Sequence, residues 1–445
     1  MTERYRSPSA PFIDYGARLA RSIPAGSGKV FTEAYLWSRK APLGYSKLPN
    51  NMGIFFADIE ADFGKPLDHP DNRTIFDDLN GWGKITDQVY VWHYITNFGG
   101  YLQPFPDLSA TAKDIAIFDK IPALKGVFLQ GSYGTMGGDM AALRVWVYGK
   151  LLWDPTLDPQ KLISEFCHLY YGNAGDDVMR YIALMEQSLV ASNTPLRIKM
   201  APNSPYLNKN TLEQARAILN DAVQKIDKNS PYGKHLASLT AGLDYVQLMQ
   251  GSLDQAGRKR FQSYVREHNI KTYAEGGAVA QLAPYLANDR KNPSAPTSVI
   301  LPKKGWIDFQ EYALKLCCSE LVQDTKASDN FAVRMEGKRS DWGIQLDMQS
   351  LPSGKWKIYA SVRIDKMAGG TIVDNIKPAI FYGIHGKNIK DGKLISSMGD
   401  EEYHEVLVGT VNVQKGETAA LWIRPPANGA VKYIYVDRIF AIPVS

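Results

Sequence analysis

The sequence predicts an α/β chain followed by an all-β one: a partial (β/α) barrel, a helical domain and a C-terminal β-sandwich of jelly-roll type. Three observations carry this. Four short, aromatic and β-branched runs alternate with helical segments in the first third of the chain. After Asp158 the periodicity is helical throughout, and beyond about residue 303 short alternating runs return with turns between them. The boundaries follow as 1–157 for the partial barrel, 158–288 for the helical domain, 289–302 for a linker and 303–445 for the sandwich.

The elements fall in order. The stretch from Ser9 to Ile23 reads as an amphipathic helix with Phe12, Ala17, Leu19, Ala20 and Ile23 near one stripe. The four runs are Lys29 to Leu36, Gly53 to Ile59, Gln88 to Ile95 and Gly126 to Gly131, each bounded by Gly, Pro, Asn or Asp. Helices are expected over Asn72–Trp82, Ser109–Ile121 and Gly138–Trp153, the last with Asp139 near its start and Asp154-Pro155 at its end. Helical segments continue through Pro159–Tyr170, Asp176–Val190, Thr211–Ile226, Lys234–Leu253 and Gln255–His268, and no strand is expected among them. DRKNPSAPTSVILPKK has the composition of a linker. The runs Trp356–Ile364, Ala379–Gly383, Glu405–Val411, Thr418–Ile423 and Tyr433–Ile439 then supply the sandwich.

Composition narrows the function. The 445 residues suit about three domains. A net charge of +5 with no Lys/Arg run of five gives no reason to expect nucleic acid. No run of 18 apolar residues occurs and the N-terminus lacks an apolar signal core, so neither a membrane span nor an export signal is read from this chain. Cys167, Cys317 and Cys318 form neither a disulfide framework nor a zinc site, and His69 beside Asp68 and Asp71 lacks a second spaced histidine. No metal or cofactor is expected.

The most informative stretch is NMGIFFADIEADF, an apolar run ending in Asp58, Glu60 and Asp62. On a continuing strand these three carboxylates share one face, where mutual repulsion splits their pKa values as glycoside hydrolysis requires. The bland alternative is a strand end entering a solvated loop. In a parallel barrel, reactive groups gather at the C-terminal strand ends. Those ends carry Tyr35 and Trp37; Asp58, Glu60 and Asp62; Trp92, His93, Tyr94 and Asn97; and Gln130 and Tyr133. Acids, amides and flat rings together are what a carbohydrate cleft needs. His93 faces away from Trp92 and Tyr94 on an ideal strand, which also fits a hydrogen-bonded core group. Arg144 reads as a salt-bridge partner.

The runs LPNNMGIFFADIEADFGKPL, QVYVWHYITNFGGYLQPFPDL, GVFLQGSYGTMGGDMAALRVWVYGKLLWDP and LISEFCHLYYGNAG resemble the bacterial domain-of-unknown-function family 4838. The resemblance runs from about Ser9 to Glu186 and is most specific at Trp92–Phe98 and Leu143–Pro155. It implies a glycoside-hydrolase-like TIM barrel of the α-glucuronidase or hexosaminidase type, and a periplasmic or secreted location. The sandwich is similar to carbohydrate-binding modules. With the strand-end placement above, a carbohydrate partner is expected, with Asp58 and Glu60 as catalytic acids and Tyr35, Asp62, Trp92, His93, Tyr94, Asn97, Gln130 and Tyr133 as substrate contacts. A non-catalytic glycan-binding protein or an inactive fragment of a glycosidase is the alternative. Two departures stand out: His93 occupies a position usually held by Asp, and Leu129 one often held by an acid. Only four βα units are present where a closed barrel has eight, so a second chain or an upstream segment is expected to complete it.

Overall fold

Strands β1 (Val30–Ala34), β2 (Met52–Ala57), β3 (Val89–Tyr94) and β4 (Leu124–Gln130) lie side by side in that order, all parallel. Helix α3 (Arg73–Gly83) joins β2 to β3, and α4 (Leu108–Asp119) joins β3 to β4. The computed structural model describes residues 1–24, 26–135, 137–287, 291, 293–303, 305–414 and 419–444, the side chains of residues 287 and 349 excepted. The expected linker at 289–302 therefore lies partly outside the described residues. Two compact units emerge, Met1–Val246 with Gln255–Val279, and Gln247–Asp254 with Ala280–Ser445.

Alternation along the strands sorts the side chains of the first sheet onto two faces. One is buried: Met52, Ile54 and Phe56 of β2 and Val89, Val91 and His93 of β3 are sealed from solvent. A short helix α1 (Thr2–Tyr5) precedes α2 (Ala10–Ser22), which lies against β1 and β2. Its contact is so close that a Cβ on Gly16 would meet Met52 Cε at 2.7 Å and Thr32 Oγ1 at 2.8 Å. This corrects the expected stripe. Ala10, Ile13, Gly16, Ala17 and Ala20 are buried, Gly16 and the alanines allowing the close approach, while Phe12 and Leu19 point outward.

The other face is open and aromatic. Phe31, Phe55, Tyr90, Trp92 and Phe128 form a continuous ring network, with centroids 5.3 Å apart for Phe31 and Tyr90 and 6.0 Å for Trp92 and Phe128. Two glycines make room for it. A Cβ on Gly53 would lie 2.5 Å from Phe31 Cε1, and one on Gly126 would lie 3.0 Å from Tyr90 Cδ1.

Helices α5 (Ala141–Trp153), α6 (Pro159–Tyr171), α7 (Gly175–Ser192), α8 (Lys209–Gln224), α9 (Pro231–Met249) and α10 (Gln255–Glu267) follow as the periodicity predicts. Asp158 caps α6 by accepting the amides of Gln160 and Lys161 at 2.9 and 3.3 Å, with Pro159 in the first turn. One strand pair interrupts the expected all-helical stretch: β5 (Thr272–Ala274) with β6 (Gly277–Ala278).

In the second unit every strand pair is antiparallel. One sheet has the order β15 (His404–Val413), β12 (Gly354–Lys366), β17 (Val431–Pro443), β10 (Phe331–Glu336), β9 (Glu320–Gln323), with β7 (Ile307–Gln310) also on β17. The other runs β14 (Ile389–Leu394), β13 (Pro378–His385), β16 (Ala420–Arg424), β11 (Ile344–Asp347), β8 (Lys315–Leu316). Val333, Ile358, Val362 and Ile434 of the first sheet share one apolar core with Ile344, Ile380, Leu421 and Ile423 of the second, so the two sheets form a sandwich.

Candidate functional site

The acids after β2 do not continue the strand. The strand ends at Ala57; the Asp58 amide still donates to the Trp92 carbonyl at 3.2 Å, and the chain then turns, with the Ala61 amide donating to the Asp58 carbonyl at 2.8 Å. Strand alternation therefore lapses, and each carboxylate meets its own partners.

Asp58 enters the buried face, where its Oδ2 lies 2.6 Å from Nδ1 of His93, both side chains almost wholly buried. Behind the imidazole stand Thr111 Oγ1 at 3.3 Å from Nε2 and Asp114 Oδ2 at 3.9 Å. Burial alone would depress the His93 pKa, but Asp58, then Asp114 and Asp107, outweigh it and hold the ring up at about 9. Asp114 is itself pushed up to about 7 by burial, against the pull of His93 and of the Leu67 amide that donates to it at 2.6 Å. Arg144 completes this network. It donates to Asp107 at 2.8 Å and Asp139 at 3.2 Å, while the Tyr148 hydroxyl reaches Asp107 at 3.3 Å.

Glu60 is ion-paired with Arg39, which also holds Asp78 at 3.0 Å, and the Glu60 carbonyl accepts from Arg197. Asp62 is buried and accepts the amides of Leu196 at 2.9 Å and Gly64 at 3.2 Å, with Lys65 at 3.3 Å. Asn97 is likewise enclosed: its side chain donates to the Met200 carbonyl and accepts the Met200 and Gly99 amides, each at 2.9 Å. Both clamp the segment around residues 196–200 to the strand ends.

What gathers on the open side is a different set. Trp92 stacks on Tyr94 at 5.6 Å and stands 6.3 Å from Tyr35. Its indole N–H donates to Gln130 Oε1 at 2.5 Å. The exposed Tyr133 donates its hydroxyl to Glu275 at 3.2 Å, and Glu275 pairs with Lys199 at 2.8 Å. Burial first, then the carboxylates of Glu275, Glu33 and Glu60, raise the Tyr35 phenol above its ordinary value. Tyr94 is raised further, by burial and then by Tyr35, Asp58, Glu33 and Glu275. Both phenols stay neutral and able to donate.

The structure thus brings Tyr35, Trp92, Tyr94, Gln130 and Tyr133 together at the C-terminal strand ends. Glu60 is near enough to act on Tyr35. Asp58, Asp62, His93 and Asn97 are instead enclosed beneath or beside that mouth. Glu33, Glu275, Arg39 and Lys199 were missed. Glu33 had a usable signal, since it lies two residues before Tyr35 on an extended segment and so shares its face. Glu275 had none, arriving from 142 residues beyond Tyr133. Among the described residues no three His, Cys, Asp or Glu side chains are arranged to hold a metal ion, and no helix is long and apolar enough to cross a membrane.

Residues 2–183 match the family described as "Domain of unknown function (DUF4838)". No curated protein matches the chain. Among solved structures, a family GH115 4-O-methyl-α-glucuronidase, BtGH115A, with specificity for decorated arabinogalactans, aligns over 90% of this chain and 56% of its own, at 11% identity and a TM-score of 0.34. The chain therefore spans little more than half of that enzyme. The CBM22-1 xylan-binding domain of Paenibacillus barcinonensis Xyn10C aligns over 33% of this chain and 91% of its own, at 11% identity and a TM-score of 0.21. A family 35 carbohydrate-binding module from Clostridium thermocellum aligns over 30% and 98%, at 12% identity and a TM-score of 0.22.

Proposed function

With residues 2–183 matching the family described as DUF4838, we propose that this chain is a carbohydrate-active protein of the glycoside hydrolase type. Sugar would be held at the C-terminal ends of the parallel strands of a partial (β/α) barrel. The observation that carries this reading is the mouth itself: Trp92 neighbours both Tyr35 and Tyr94, and Glu275, Glu33 and Glu60 lie close enough to raise the Tyr35 phenol. Flat rings cover the C–H face of a pyranose, while neutral phenols, Gln130 and carboxylates bond its hydroxyls.

In this reading Glu60 and Glu275 are the acid/base pair and Glu33 orients a sugar hydroxyl or water. Asp58, expected beside Glu60, acts as a positioning residue through His93, because no atom of it reaches the mouth. That enclosure is also the observation that favours a second reading, a glycan-binding protein that breaks no bond. The carbohydrate-binding role of the sandwich, a periplasmic or secreted location, and the division into barrel (1–157), helical domain (158–288), linker (289–302) and sandwich (303–445) remain parts of the same proposal.

The test is turnover of a panel of aryl glycosides and uronic-acid oligosaccharides by the full chain and by Glu60→Gln and Glu275→Gln. A fall of roughly 10²-fold or more in each variant is expected of acid/base groups. Turnover equal to that of the unaltered chain in both would exclude them. Binding without turnover by the unaltered chain would establish the second reading.

A further inference from the structure

Two thiols of the second unit take no part in the proposed sugar site. Cys317 and Cys318 are consecutive and both exposed, whereas Cys167 is buried and burial pushes its thiol up to about 12. The pair sits at a corner of the sandwich. Strand β8 ends at Leu316 beside β11 in one sheet, β9 begins at Glu320 beside β10 in the other, and residues 317–319 make the crossing. Both ends of this corner are tied to the Gly343 carbonyl, which accepts the Cys317 amide at 3.0 Å and the Ser319 hydroxyl at 2.5 Å. Gly343 is itself fixed, its amide donating to the Ile423 carbonyl of β16 at 3.0 Å. Between these anchors Cys318 takes a left-handed φ of 54°, which residues with a side chain seldom adopt.

This backbone decides where the sulfurs go. Along an extended strand, adjacent side chains point to opposite faces. At the corner they lie side by side instead, the Cys317 thiol hydrogen-bonded to that of Cys318. Partial desolvation first, then the Cys318 thiol and the Asp341 carboxylate, hold the Cys317 thiol above its ordinary value against the pull of Lys315, so it rests protonated at neutral pH. Sulfurs held together in this way react with each other faster than with a group from another molecule. Consecutive α-carbons are about 3.8 Å apart, short of the roughly 4.4–6.8 Å that most disulfides span, so a bond between these two is readily reduced again.

We propose that Cys317 and Cys318 form a reversible modification site, closing to a disulfide between neighbours by exchange with a small-molecule disulfide. The thiolate of one cysteine attacks the small disulfide, forming a mixed disulfide and expelling one small thiolate. The other cysteine, deprotonated in turn, attacks the cysteine sulfur of that mixed disulfide and expels the second. Two cysteine thiols and one small disulfide thus become one protein disulfide and two small thiols, the cysteines being oxidised and the small molecule reduced by two electrons. Closure joins the residues at which the chain crosses between the sheets, and an excess of small thiol reopens it. The site stands on the corner alone and holds whether or not the mouth takes sugar.

The test is treatment of the reduced full chain with oxidised glutathione, read by intact mass and by free thiols counted after denaturation. Of the three cysteines, Cys167 alone should remain a thiol, with the mass lowered by two hydrogens, no glutathione retained and no link between chains. Dithiothreitol should then restore all three thiols. Fragmentation of the oxidised chain should place the bond between 317 and 318. Cys317→Ser and Cys318→Ser, each lacking the second sulfur, should instead keep one glutathione as a stable mixed disulfide. An unaltered chain that keeps its three thiols, retains glutathione or links to a second chain would overturn the proposal, and so would single variants that take up none.

Discussion

The pair formed by Asp58 and His93 makes a prediction that can be worked from its geometry. Asp58 stands 2.6 Å from Nδ1 and the ring is 1% exposed, so the imidazolium has no solvent to fall back on. Against burial, Asp58 and the carboxylates behind it lift His93 from 6.5 to about 9. At about 1.4 kcal/mol per pKa unit this is on the order of 3 kcal/mol of stability in the first unit. The sign follows from the lift: the contribution is fully present below 6.5 and is lost as pH rises through about 9. Asp114, raised by burial from 3.8 to about 7, works in the same direction, its share disappearing as pH rises across that lower window. Asp58→Asn should let His93 fall back and should destabilise the unit by about 3 kcal/mol at neutral pH, a difference that closes in alkali. His93→Gln should match it, and the double variant should be no worse than either single one, a coupling of about 3 kcal/mol. Amide exchange of the β2 and β3 peptides in the full chain measures this across pH, and the His93 ring protons report its titration by NMR. A histidine titrating near 6.5, or unchanged protection in Asp58→Asn, would show that Asp58 does not hold His93 charged.

Replacing Arg144 by Met strips the buried Asp107 and Asp139 of their cation, and a loss of roughly 3–5 kcal/mol is expected, read as a fall of about 10 °C or more in the first thermal transition. The Glu60 and Glu275 variants should lose turnover without losing that transition.

Much of the fold was legible because its signals are local. The four strands announce themselves as aromatic and β-branched runs between breakers, and the helices as capped periodic segments. The acid triplet misled because alternation holds only while the strand lasts. Once the turn at Asp58–Ala61 forms, spacing by two no longer means a common face, and Asp58 and Glu60 part company. The outward-facing Phe12 and Leu19 misled for another reason: a helix set close to a sheet uses its small residues for contact, whatever its large ones suggest. Short strands such as β8, two residues long, carry no pattern of their own and exist only by pairing with β11. Glu275 is a tertiary neighbour with no sequence signature at all. His93, by contrast, was legible as a residue facing away from Trp92 and Tyr94. The position lies on the enclosed face and not among the rings of the mouth.

On the proposed function, sugar binds against the rings at the strand ends. Isothermal titration of the full chain with an oligosaccharide panel tests it most directly when run beside Trp92→Ala and Tyr133→Ala, both confirmed folded by amide exchange. A sugar that binds the unaltered chain should bind each variant at least tenfold more weakly, a loss of about 1.4 kcal/mol or more. Affinity unchanged in both variants would place binding elsewhere.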